Sequence, residues 1–377
     1  MANVPTLRFP GSTDKWEKKR VGDIAKLSKG AGISKDDRSI SGVPCILYGE
    51  LYTTYNSEII NKVVSKTELP LDNLVQSEGN DVIIPSSGES AIDISTARCI
   101  TTSGILLGGD LNIIRLKNDD GRFLSYQLNG VRKLDIAKVA QGVSVVHLYG
   151  DALKSISVSL PHIDEQKKIA DFLSLLDERI ALQSKLIEDL KKLKSAIRAA
   201  IFQQLKKTAN QMRAGAELLE YEQPTKYLVS DTEYSQDKSL TPVLTANKSL
   251  ILGYTDEKFG IYKKGDCIIL DDFTLDLKYI KFPFKVKSSA IKILRAKNGV
   301  SLRYMYEYLN WLELTPLGHN RHYISMIEPM QFYCPEVQVQ EKIATTLEKA
   351  DEKIQSESRL FDVLTRQKYF LLSAMFI

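Results

Sequence analysis

The chain offers few residues that could perform covalent chemistry. Its histidines are His147, His162, His319 and His322, and its cysteines are Cys45, Cys99, Cys267 and Cys334. His319 and His322 stand three apart but have no cysteine nearby, so they make a poor zinc site. The cysteines are scattered and form no CxxC, which reads as reduced, buried thiols of a cytoplasmic protein. No phosphate-cradling GxxxxGK[ST], no GxGxxG, no HExxH and no GxSxG occurs. Asp271-Asp272 closes an apolar run, a place where nucleases hold metal. The matching stretch of the first half is Pro85-Ser86-Ser87, with no acid. The residue types favour binding over catalysis.

Between positions 258 and 297 there are ten Lys/Arg against four Asp/Glu, interleaved with Tyr262, Tyr279, Phe282 and Phe284. A solvated strand face would carry the same charges. A surface that displaces counterions from DNA phosphates would carry them too. The candidates for DNA contact in the first half are Lys29, Lys35, Arg38, Tyr52, Ser86, Ser87, Ser144 and His147. In the second half they are Lys263, Lys264, Lys278, Lys281, Asn320, Arg321 and His322. Asn, Arg and His on a glycine loop are suited to base edges. The loop 318–324 is expected to take the place of 142–148.

These residues need elements to hold them, and the strongest elements are a repeat. The stretch from Pro161, PHIDEQKKIADFLSLLDERIALQSKLIEDLKKLKSAIRAAIFQ, has no glycine and no interior proline. Its apolar residues recur at steps of four and three: Ile169, Leu173, Leu176, Ile180, Ile187, Leu190, Ile197. That spacing predicts a coiled-coil seam on a rod of about 40 residues, roughly 60 Å long. The pattern returns without a gap from Pro335, with seam residues Ile343, Leu347, Ile354, Phe361, Leu364 and Leu371. Pro161 falls on Pro335, Gln166 on Gln340, and Asp177-Glu178 on Asp351-Glu352. Each helix alone would expose its seam, so the two are expected to pair antiparallel.

Both seams carry polar residues at the same two places, Gln183 and Lys194 in one and Glu357 and Lys368 in the other. A matched polar pair can fix register. The expectation is Lys194 opposite Glu357 and Gln183 opposite Lys368. A slip of one heptad, which overlaps the helices slightly better, would set Lys194 against Ala350 and Gln183 against Phe361. Snorkelling of these side chains to the rim is the other possibility.

Around the rods lie two stretches with similar element order. Short strands are expected at 43–48, 82–85, 113–116 and 156–160, a helix at 123–136, and an amphipathic start behind Trp16. The polar stretch 205–224 reads as a linker. The order then returns in looser form, with 264–270 like 78–84 and 301–309 like the helix at 123. The sequence therefore divides into a first globule, 1–160; a central helix, 161–207; a second globule, 208–334; and a C-terminal helix, 335–377. The fold class is α+β: two mixed α/β globules separated by two long helices in an antiparallel coiled coil, pseudo-two-fold by internal repeat. A net charge of +4 permits nucleic-acid binding without demanding it. No apolar run is long enough to span a membrane, and the start lacks a secretory signal.

The duplicated segments LPHIDEQKKIADFLSLLDERI and CPEVQVQEKIATTLEKADEKI, the opening WEKKRVGDIAKLSKG and the turn-plus-strand EGNDVIIPSSG resemble the specificity subunits of type I restriction-modification enzymes. In that family two target-recognition domains each read half of a bipartite DNA site, and the coiled coil sets the gap. The resemblance implies a non-catalytic chain that docks two methyltransferase subunits, with restriction subunits joining through them. It implies that S-adenosylmethionine, ATP and Mg²⁺ belong to those partners. The rival reading is a stand-alone two-headed DNA-binding regulator, or a scaffold. The second copy departs in having Val337-Gln338-Val339-Gln340 for Ile163-Asp164-Glu165-Gln166, and no tryptophan opens its globule.

Overall fold

The computed structural model describes residues 4–208, 211–245, 250–318 and 321–377. Contacts divide the chain into two compact units, Met1–Ser184 with Arg359–Ile377, and Lys185–Ser358. Both divisions cut the long helices, Ile163–Thr208 and Val337–Ala374. Each helix buries one end in one unit and its other end in the other, so contacts part the chain within the helices.

In the first unit the main sheet has the order Ala25–Lys29, Leu111–Leu116, Asp81–Pro85, Arg98–Ile100, Ile59–Ile60. Its middle strand, Asp81–Pro85, is buried from end to end, which is why it reads as an apolar run rather than an alternation. Its one charge, Asp81, is met by Arg115 of the neighbouring strand at 2.8 Å. A second five-stranded sheet contains Arg38–Ser39 and Val43–Ile46. The helix expected at 123–136 is two helices, Gly121–Asn129 and Lys133–Val139. Gly130 ends the first, at a point where a Cβ would lie 3.3 Å from the Leu372 carbonyl oxygen. Trp16, Phe123 and Phe376 meet ring to ring in the core. There Ile169 and Leu173, from the start of one long helix, share a cluster with Leu371, Leu372 and Met375 from the end of the other. The helices are therefore antiparallel here.

The second unit repeats this order. Its main sheet is Leu219–Glu222, Ile291–Ala296, Cys267–Asp271, Leu277–Ile280. Phe202 and Leu205, near the end of the first long helix, join Leu347, near the start of the second. The linker expected at 205–224 is a correction. The strand Met212–Ala214 pairs with Gln331–Tyr333, and the helix Gly215–Leu218 leads into the edge strand Leu219–Glu222. This matches the strand, short helix and strand of Glu17–Arg20, Val21–Ile24 and Ala25–Lys29. Polar residues hid it, because its burial rests on a few side chains such as Leu218 and Leu219. Gly215 is also required there, since a Cβ would come within 2.1 Å of the Ile327 carbonyl oxygen.

The repeated glutamines do the same work in both units. The Asp120 amide donates to Gln166 Oε1 at 3.0 Å, while Gln166 Nε2 donates to the Pro161 carbonyl and to Asp119. The Ser301 amide donates to Gln340 Oε1 at 2.9 Å, and Gln340 Nε2 donates to the Pro335 carbonyl. Asp120 and Ser301 are the N-caps of equivalent helices. Each glutamine thus ties the start of a long helix to the start of a helix in the globule.

The register differs from the one expected. Lys194 pairs with Asp351 at 2.7 Å and with the buried Glu307 at 3.1 Å. Asp351 is next to Ala350, the residue that the alternative register sets opposite Lys194. Glu357 pairs with Lys353 along its own helix. In the first unit Lys368 pairs with Asp177 at 2.6 Å and with the buried Glu58. These are the same contact twice, because Lys194 and Lys368 are equivalent in the repeat, as are Asp177 and Asp351. The expected pairing overlooked the globules, which each supply a glutamate to the seam lysine. The named seam residues are all buried or half-buried. Among the described residues no helix is long and apolar enough to cross a membrane.

Candidate nucleic-acid interface

In the first unit the candidates gather where strands Ala25–Lys29 and Asp81–Pro85 end and Leu111–Leu116 begins. Lys29 lies opposite Asn112, and Pro85 opposite Leu111. The Ser86 amide donates to the Asp110 carbonyl at 2.7 Å, and the Leu148 amide donates to the Ser86 carbonyl at 2.9 Å. His147 pairs with Ser87 in a short ladder. A Cβ on the adjoining Gly88 would sit 3.5 Å from the Tyr52 hydroxyl. Lys29, Tyr52, Ser86, Ser87 and His147, drawn from four stretches of sequence, are thus neighbours.

Asp110, held in the left-handed region at φ 58°, also lines a cavity of about 680 Å³ together with Lys35, Arg38, Tyr48 and Glu50. The buried Glu50 carboxylate accepts from the Leu47 amide at 3.0 Å and lies 3.9 Å from Arg38 Nη1. Burial raises the Tyr52 pKa, with Tyr48, Asp93 and Glu89 adding to it, so the phenol stays a hydrogen-bond donor. Ser86 and Ser87 are buried, while His147 and Ser144 are exposed. Gly142 closes the loop below Ser144 at φ 122°, where a Cβ would meet the Val145 carbonyl oxygen at 2.1 Å.

The second unit has the same backbone frame. Asp271 lies opposite Ile291, the Asp272 amide donates to the Ala290 carbonyl, and the His322 amide donates to the Asp272 carbonyl, both at 3.0 Å. Asp272 therefore stands where Ser86 does, His322 where Leu148 does, and exposed Arg321 where exposed His147 does. The loop match expected from sequence, 318–324 on 142–148, is off by two residues. Like Leu148, His322 is buried. Its Nδ1 faces the Asp272 carbonyl oxygen at 3.0 Å and its Nε2 accepts from the Leu317 amide at 2.8 Å, so its ring is committed within the fold. Asn320 lies outside the described residues.

The remaining basic candidates do not join Arg321. Lys263, Lys264 and Lys281 lie toward the Cys267 end of the central strand, the far end from Asp271. Lys264 is paired with Glu222 at 2.8 Å, and Lys281 with Glu348 of the second long helix. Lys278 is half-buried opposite Ile269. The two aspartates are engaged by backbone amides. Asp271 accepts from the amides of Phe273 and Thr274, and Asp272 from those of His322 and Tyr323. Among the described residues no three His, Cys, Asp or Glu side chains are grouped to hold a metal ion. Residues missed from sequence are Asp110 and Asn112, which hold the frame, and Tyr149, exposed and stacked near His147 at 6.2 Å. An aromatic two positions past a loop histidine was the available signal for Tyr149.

Residues 13–192 match the family model of the type I restriction modification DNA specificity domain. Over that stretch, just under half of its length, the chain is similar to that family. It is 48% identical over 115 residues to the specificity subunit of the type I restriction enzymes EcoR124I/EcoR124II of Escherichia coli, covering 29% of this chain and 28% of that one. It is 28% identical over 200 residues to the MjaVIII specificity subunit of Methanocaldococcus jannaschii, covering 52% and 43%. Both matches span less than half of those relatives' lengths. The fold is similar to the solved S subunit of a type I restriction-modification system from M. genitalium, with TM-score 0.67, 18% identity and 99% of both chains covered. A second solved chain, from work on assembly and conformational transition of the type I R-M system, gives TM-score 0.56 at 14% identity over 98% of both. At these identities the likeness is one of fold, and it extends to the half of the chain that the family model does not reach.

Proposed function

We propose that this chain is the DNA-specificity subunit of a type I restriction-modification enzyme. Each unit reads one half of an interrupted duplex site, and the helices set the distance between the halves and dock two methyltransferase subunits. Restriction subunits join through the methyltransferases. The chain itself is not an enzyme, and S-adenosylmethionine, ATP and Mg²⁺ are bound by its partners. One observation carries this reading. The two units build the same amide frame, Ser86–Leu148 and Asp272–His322, and present different exposed side chains from it, His147 and Arg321. A shared frame with divergent contacts is what two readers of different half-sites require. The rival reading, a stand-alone regulator, needs no enzyme partner. Co-expression with methyltransferase subunits followed by mapping of methylated bases separates the two. The expected result is a co-purifying complex that methylates one interrupted motif. Specific DNA binding with no such complex would favour the regulator.

A further inference from the structure

The two units fill their common frame with different chemistry behind the exposed residue. In the first unit the frame positions are Ser86, Asn112 and Leu148. Asn112 Nδ2 donates to the Leu148 carbonyl at 2.9 Å, and Ser86 Oγ lies 3.4 Å from Asp110 Oδ1. In the second unit the same positions hold Asp272, Lys292 and His322, all at most 2% exposed. Asp272 Oδ1 accepts from the amide of His322 at 3.1 Å and from that of Tyr323 at 2.8 Å, the two peptide groups directly after Arg321. Its Oδ2 lies 3.6 Å from Lys292 Nζ, which also sits 5.1 Å over the Tyr221 ring. A buried carboxylate and ammonium are costly unless they hold something in place. What they hold is the backbone that aims Arg321.

We propose that Asp272, with Lys292 behind it, is the positioning residue that makes Arg321 the specificity-determining contact of the second half-site. This rests on the specificity-subunit reading and deepens it. The first unit has no carboxylate–ammonium pair at these positions, where it holds Ser86 and Asn112. The Lys292 pKa is lowered by burial first and by the nearby Arg321 charge as well, although Asp272 opposes the shift. Asp272 is engaged by two amides and Lys292, and the exposed Arg321 side chain is left to face an acceptor on a base edge or phosphate.

The test uses the full chain in its methyltransferase complex and measures methylation of the mapped site and of duplexes altered in one half. Discrimination is the ratio of the two rates. D272S/K292N installs the residues of the first unit and leaves no buried charge unpaired. It is expected to lower second-half discrimination about tenfold or more and to leave first-half discrimination unchanged. In an R321A background the same pair should cause no further loss, since its proposed effect runs through Arg321. D272N/K292N keeps an accepting oxygen for both amides, leaves no buried charge unpaired and should retain discrimination. Four results would overturn the proposal: intact second-half discrimination in D272S/K292N, equal loss in both halves, a further loss on top of R321A, or a pair that melts out of the complex, which would make Asp272 a core residue only. Absence of methylation by the wild-type complex would instead refute the specificity-subunit reading.

Discussion

At the scale of single residues, the proposed reading turns on His147 and Arg321, equivalent in backbone position and different in kind. Arg321→Ala is expected to cost about 1–3 kcal/mol at the second half-site and nothing at the first. Competition binding with half-altered duplexes checks this, and equal losses in both halves would count against it. Lys264 and Lys281 resemble phosphate contacts in the sequence but are tied to Glu222 and Glu348. Lys281→Ala should therefore leave the salt dependence of DNA binding unchanged, whereas loss of a true phosphate contact would reduce that slope by about one. Nothing in the sequence marks this difference, because both acids lie tens of positions away.

Among the elements, the long helices are held to their globules by two repeated devices, the buried glutamine and the seam lysine. Gln166→Leu removes a donor and acceptor that satisfy three groups, and leaving those groups unpaired costs about 1–3 kcal/mol each. Denaturant unfolding is expected to show a loss at least that large, and Gln340→Leu should behave alike. Lys368→Ala leaves Glu58 and Asp177 buried without their cation. The expected destabilisation is about 3–5 kcal/mol, with stability recovered when Glu58 and Asp177 are also replaced by apolar residues. Burial acts to lower the Lys368 pKa, but Glu58 and Asp177 together hold it above 10.5. A raised lysine pKa contributes stability that is complete below 10.5 and is lost as pH climbs through the folded value. Wild-type protein should lose stability more steeply above that pH than a variant with Lys368 replaced by Met, in melting curves across the alkaline range.

For the molecule as a whole, the proposal that each unit owns a reading surface makes the two units exchangeable. Replacing residues 1–160 with those of a relative is expected to change one half of the methylated motif and leave the other. Four residues inserted near Ser195 lengthen the helix by roughly 6 Å and should widen the gap in the motif. Methylation mapping after either change gives the answer directly, and an unchanged gap would contradict a spacing role for the helices.

The sequence by itself determined the repeat, the antiparallel pairing of the rods, the two mixed globules and the absence of familiar catalytic motifs. These follow from local periodicity and from residue types, which act over one or two turns of chain. It also marked the polar seam positions Lys194 and Lys368 but paired them with the wrong partners. Their true partners, Asp351 with Glu307 and Asp177 with Glu58, include side chains from the globules. Only the tertiary structure brings those near. It likewise decided that 212–222 is strand, helix and strand, and that Arg321 rather than His322 faces outward. Burial of His322 is set by the Asp272 and Leu317 backbone, a long-range hydrogen-bond geometry that no spacing along the chain encodes.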